Sequence, residues 1–296
     1  MPDHASLPRQ CLAELFGTLI LVFFGVGSVH VAVLTGALGG LWQVAAVWGV
    51  AVALAVYAAG AISGAHLNPA ITVAFAVFRK FPVSRVGPYV LSQLAGAFLG
   101  AAVLYTLSGG VLGPAPHGGV LAEFEARHAI TRGAPGSEKS AMVYGEYFPN
   151  PAMVPGQFKS VEAVSEWTAM LAEGLGTALL ALFIFALTDR RNPGRPGGTT
   201  MLAVFIGLAL SIIIIIIAPL TQAGLNPARD FGPRLFSYLA GWGRIAIPGP
   251  RGGFFTVYIL APVLGASVGA ACYEFLLRPF MIKSAGAAQA EQRGES

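Results

Sequence analysis

The chain has 296 residues, of which 55% are hydrophobic and 11% charged, with a formal net charge of +4. A soluble domain carries about 25% charged residues, so this composition excludes an ordinary globular protein. The small net charge, without a basic stripe, argues against nucleic acid as a partner.

In chain order, uncharged apolar blocks of about 20 residues, each enough to cross a bilayer, predict six spans at 11–34, 41–62, 86–108, 164–188, 201–220 and 253–277. The first block is too long for the core of a signal peptide and is read as a helix of the mature protein. Two shorter stretches, 68–79 and 227–239, each open with Asn-Pro-Ala and are too short to span. Cys11 and Cys272 fall in apolar segments and read as packing residues. The 109–163 connection is rich in Gly and Pro and is expected to be an extracellular loop within a single 1–296 channel domain. The polar tail 283–296 is expected to be disordered.

Arg9 precedes span one, and the 35–40 connection carries no charge. Basic residues follow the even spans: Arg79, Lys80 and Arg85, then Arg190, Arg191 and Arg195, then Arg278, Lys283 and Arg293. The positive-inside rule therefore places both termini in the cytoplasm of a plasma, or inner, membrane.

An internal repeat organises these spans. Ala13-Glu14-Leu15-Phe16-Gly17-Thr18 recurs as Ala172-Glu173-Gly174-Leu175-Gly176-Thr177, at an offset of 159 (173 − 14). Leu67-Asn68-Pro69-Ala70 recurs as Leu225-Asn226-Pro227-Ala228, at an offset of 158 (226 − 68). Three spans separate the copies, so repeats of about 8–108 and 164–278 enter the membrane from opposite sides. Such inverted repeats place a site near the midplane, between broken helices.

The chemistry follows from the Asn-Pro-Ala turns. Asn favours the N-cap and Pro the first helical position, so each motif starts a half-helix. Irregular backbone at membrane depth is tolerated where it is buried or lines water. Gly64, Ala65 and His66, with Gln222, Ala223 and Gly224, are thus candidates to offer carbonyls to a wet passage. The positive ends of the half-helices meet near the centre, where Asn68 and Asn226 donate to a passing oxygen. Glu14 and Glu173 sit deep in apolar spans at equivalent places in both repeats, which favours scaffolding of the loops over proton carriage. Arg229, in the first turn of a half-helix, reads either as an ion-pair partner of Asp230 or as a donor fork at the pore mouth. Trp48 reads as a core aromatic or a pore residue. No Cys, His, Asp and Glu cluster has metal spacing, so no metal or cofactor is expected.

Ser63-Gly64-Ala65-His66-Leu67-Asn68-Pro69-Ala70 and Gly224-Leu225-Asn226-Pro227-Ala228-Arg229-Asp230-Phe231-Gly232-Pro233-Arg234 resemble the major intrinsic protein family of aquaporins and glycerol facilitators. The resemblance covers about residues 8–280. Asp230, Arg234, Pro262 and Glu146-Tyr147-Phe148-Pro149-Asn150-Pro151 are similar to its glycerol-facilitator branch. It implies an all-α membrane fold of six transmembrane helices and two half-helices around a pore, in a homotetramer. It also implies a constriction at Trp48, Ile214, Ala223 and Arg229, where Trp beside Arg suits a polyol. The bacterial facilitator has Gly in place of Ile214 and Phe in place of Ala223. The set here is closer to some plant nodulin-26-like members, and the exchange could equally tune the pore toward urea, ammonia, lactic acid or a metalloid acid.

The leading reading is a passive channel in the lipid bilayer for glycerol, small polyols and water that excludes ions and protons. A water-selective aquaporin and a proton-coupled transporter using Glu14 or Glu173 are the alternatives. No nucleophile and base pair, metal cluster or phosphate loop points to an enzyme.

Overall fold

The computed structural model describes residues 5–109, 118–195 and 198–281, without the side chains of 198–200. The tail expected to be disordered, with Lys283 and Arg293, lies outside the described residues. All regular elements among the described residues are helical. They are α1 (Leu7–His30), α2 (Leu41–Ser63), α3 (Pro69–Phe78), α4 (Val83–Leu107), α5 (Gly119–Arg127), α6 (Glu138–Ala141), α7 (Glu166–Thr188), α8 (Gly198–Thr221), α9 (Pro227–Ser237) and α10 (Ala261–Ala271). A π-helical turn extends α1 to Thr35, and turns on both sides of α10 extend it to Thr256–Met281.

Six of these helices are long and apolar enough to cross a membrane, in the places the hydropathy predicts. Their ends differ by a few residues, because polar first turns are helical too. α1 begins at Leu7, with a proline in its first turn, ahead of the apolar run. The long connection holds α5 and α6, which carry no span-length apolar signal.

α1 packs on α2 and α4, α7 packs on α8 and α10, and α2 against α8 joins the halves. Close crossing is possible because the contacts are bare backbone, the usual route to helix association in lipid. A Cβ on Gly96 would lie 2.1 Å from the Leu15 carbonyl oxygen, and one on Gly265 would lie 2.1 Å from that of Gly174. At the junction of the halves, a Cβ on Gly207 would lie 2.1 Å from the Gly49 oxygen. Gly96 and Gly100 correspond to Gly265 and Gly269 at an offset of 169 (265 − 96, 269 − 100), a third register of the repeat.

The half-helices α3 and α9 start as capping chemistry dictates. Asn68 Oδ1 accepts from Ala70 N at 2.8 Å, and Asn226 Oδ1 accepts from Ala228 N at 3.0 Å and Arg229 N at 3.3 Å. Each also leans on the third span of the other half, α3 on α10 and α9 on α4. Two stubs entering from opposite faces are thereby aimed at one point.

Candidate functional site

Ahead of each Asn the chain leaves helical geometry. Gly64, Ala65 and Leu67 have φ between 49° and 89°, and Gln222, Ala223 and Leu225 between 53° and 64°. Left-handed backbone costs an L-residue about 1–2 kcal/mol, so something must hold these loops. The two buried glutamates do so. Glu14 accepts from His66 N at 2.9 Å, Leu67 N at 2.7 Å and the Ser63 hydroxyl at 2.6 Å. Glu173 accepts from Gly224 N at 2.9 Å, Leu225 N at 2.6 Å and the Thr221 hydroxyl at 2.6 Å. Gln93 also donates to Glu14, at 2.8 Å. Tyr89 and Tyr258 donate to the last carbonyls of α2 and α8, Ser63 O at 2.9 Å and Thr221 O at 3.1 Å.

The half-helix tips are tied crosswise. Asn68 Nδ2 donates to Leu225 O at 3.0 Å and Asn226 Nδ2 donates to Leu67 O at 2.8 Å. An amide nitrogen has two hydrogens, so each side chain spends one on the opposite loop and keeps one. Half of the donor capacity of the two amides thus joins the halves, a role the sequence did not suggest, and the other half is left for a passing oxygen. Both Asn side chains line a cavity of about 110 Å³, room for several waters.

That cavity runs from Arg229, Trp48, Ile214 and Ala223 past the two Asn residues to Phe75 and Thr188. Gly64, Ala65, His66 and Gly224 line it as well. Apolar side chains of α1, α2, α7 and α8, among them Leu21, Val52, Val56, Leu180 and Ile206, form the remaining wall. A second cavity opens on the face of the long connection and is lined by Gln222, Asn150 and Lys139. The two cavities share Trp48, Ile214 and Arg229, so these residues stand at the constriction between them. The Arg229 guanidinium lies 4.4 Å over the Trp48 ring and donates to Tyr144 O at 3.4 Å.

Arg229 does not pair with Asp230. Its carboxylate partner is Glu146, from the long connection. Asp230 instead holds Arg234 through two contacts, at 2.9 and 2.8 Å, and accepts from Glu146 N at 2.7 Å. Gln222 turns its amide outward, donating to Met142 O at 3.0 Å and accepting from Tyr147 N at 3.0 Å. Asn150 Nδ2 donates to Ala218 O at 2.9 Å. The 142–150 segment is thus fastened over the constriction at several points. His66 stacks on Phe75 with ring centroids 4.7 Å apart, and its Nδ1 lies 3.3 Å from the Thr72 hydroxyl.

Residues 2–273 match the model of the major intrinsic protein family. The chain belongs to that family. Members of the major intrinsic protein family are channels, and this chain is a multi-pass membrane channel rather than an enzyme. It is 42% identical to the glycerol uptake facilitator protein of Pseudomonas aeruginosa, over 97% of this chain and 95% of that one. It is 41% identical to the propanediol uptake facilitator PduF of Citrobacter freundii, over 92% of this chain and 93% of that one. Among solved structures it is similar to the aquaglyceroporin from Plasmodium falciparum, with a TM-score of 0.75 and 24% identity over 93% of this chain and 99% of that one.

Beside those family motifs, sequence reasoning assigned no role to Glu146, Tyr89, Tyr258 or Gln93. Tyr89 and Tyr258 could have been found, since they share the offset of 169 (258 − 89) with the paired glycines. Glu146 lies in an irregular loop, where no period points a side chain at the pore.

Proposed function

We propose that the chain is a passive channel for glycerol and other small uncharged polyols, with water, and that it excludes ions and protons. The observation that carries this reading is the two-sided constriction. Trp48 and Ile214 offer apolar surface to the C–H edge of a polyol. Arg229 and the loop carbonyls serve its hydroxyls. The names of the glycerol and propanediol facilitators that this chain resembles along almost their whole length support the same substrate class.

Exclusion of ions and protons rests on the crosswise Asn pair. Two donors and two positive helix ends make a central water present its lone pairs to the protein, which breaks a proton wire and disfavours cations. Against a proton-coupled carrier, Glu14 and Glu173 are committed to loop N–H and hydroxyl donors. We further propose a homotetramer in the plasma, or inner, membrane with both termini cytoplasmic. The basic residues Arg79, Arg190, Arg191 and Arg278 on the face of the termini support that orientation.

Stopped-flow entry of glycerol, urea and water into vesicles bearing the purified chain tests the proposal. Glycerol entry well above that of empty vesicles is expected. Entry no faster than in empty vesicles, with fast water, would favour a water-only channel.

A further inference from the structure

The four-position constriction leaves Glu146 without a part, yet its carboxylate touches the one charged member of that set. Glu146 is 1% exposed and forms an ion pair with Arg229. Among the described residues, no hydrogen-bond donor besides Arg229 reaches either carboxylate oxygen. Its backbone is clamped on both sides. The N–H donates to Asp230 at 2.7 Å, and the carbonyl accepts from Arg234, which is itself held by Asp230. The backbone that carries the carboxylate is therefore fixed to α9, next to Arg229.

We propose that Glu146 is a specificity-determining positioning residue: its charge fixes how far the Arg229 guanidinium projects into the passage, and with it the preference for polyol over water. Ionised, Glu146 draws Arg229 toward the wall and offsets its charge. Neutral, it gives up the ionic hold and keeps no more than a neutral hydrogen bond, beside the Tyr144 carbonyl at 3.4 Å and the Trp48 face. The guanidinium then narrows the constriction opposite Ile214 and binds passing hydroxyls more tightly. A three-carbon polyol is slowed more than a single water. This rests on the polyol reading above and adds a control to it.

The titration lies in an accessible range. Burial outweighs the attraction of Arg229 and pushes the Glu146 carboxyl up to about 8. The charged groups facing it are Arg229, Asp230 and Arg234 on α9 and Glu173 on α7. Tyr258 from the last span, with Glu138, Lys139 and Arg251, lines the adjoining cavity on the loop face. Protonation prevails below that value, so the Glu146–Arg229 hold is present at high pH and lost as pH falls through about 8.

The test uses the full chain in proteoliposomes, with glycerol and water permeability measured from about pH 6 to about pH 9.5, a range that brackets such a group. The glycerol-to-water ratio cancels differences in protein content. In the wild type it should rise several-fold with a midpoint near that value, and water alone should follow the same midpoint with smaller amplitude. Glu146→Gln keeps the shape without the charge and should stay at the low-pH ratio throughout. Glu146→Asp should keep a slope. A flat wild-type profile, or a Gln variant with the wild-type slope, would overturn the proposal. Should the Gln variant not reach the membrane, the wild-type and Asp profiles decide. A chain that passes water but no glycerol at any pH refutes the polyol reading, and the water profile of the same samples still judges Glu146.

Discussion

The Arg229 guanidinium, laid over Trp48 and paired with Glu146, has its charge offset within the protein once Glu146 is ionised, so removing it alone does two things at once. Arg229→Ala deletes the donor and, above about pH 8 where Glu146 is ionised, strands a buried carboxylate, a loss of about 3–5 kcal/mol in comparable pairs. The clean probe is Arg229→Ala with Glu146→Gln. That double variant should pass longer linear polyols and small cations faster than the wild type does, and selectivity unchanged in vesicle flux would take Arg229 out of the filter. Ala223 supplies a second probe. Neither Cys11 nor Cys272 lines the passage, so mercurials should leave water flux intact, while Ala223→Cys should make it mercury-sensitive. The buried glutamates predict a stability effect. Glu14→Ala leaves two loop N–H groups and the Ser63 hydroxyl without their acceptor, at roughly 1–3 kcal/mol each. Its melting temperature in detergent should fall steeply, and an unchanged value would remove Glu14 from the scaffold.

At the level of helices and loops, the spans and both half-helices were legible because their causes are local. Apolar runs of bilayer length and an Asn-Pro start need no tertiary partner to be recognised. The paired Glu and Asn-Pro-Ala motifs were legible as a repeat for the same reason. What escaped was set by distant contacts: α5 and α6 in the long connection, the fastening of 142–150 over the constriction, and the partner of Arg229. Asp230 is the nearer acid in sequence, yet it sits one residue on, where the helix turns it away to Arg234 at i+4. Glycine contacts carry their own test. Gly207→Ala puts a methyl 2.1 Å from a carbonyl on the facing helix and should cost about 1–3 kcal/mol by overpacking. Gly87→Ala, which meets nothing within 4 Å, is the control and should leave melting unchanged or raise it. Equal behaviour of the two variants would mean that the α2–α8 crossing does not depend on bare backbone.

For the molecule as a whole, two halves of the same design share one passage, and neither half owns its centre. A passive pore of this kind should carry solute in proportion to the gradient, without saturation at millimolar glycerol and without response to a collapsed proton gradient. Saturation or proton coupling would return the carrier reading. The crosswise bonds from Asn68 to Leu225 and from Asn226 to Leu67 have a consequence for biogenesis. A nascent amino-terminal half exposes an amide and a carbonyl that only the carboxy-terminal half completes. Each half synthesised alone should therefore be a ready substrate for membrane proteases, whereas co-expression of the two as separate chains should protect both and restore transport.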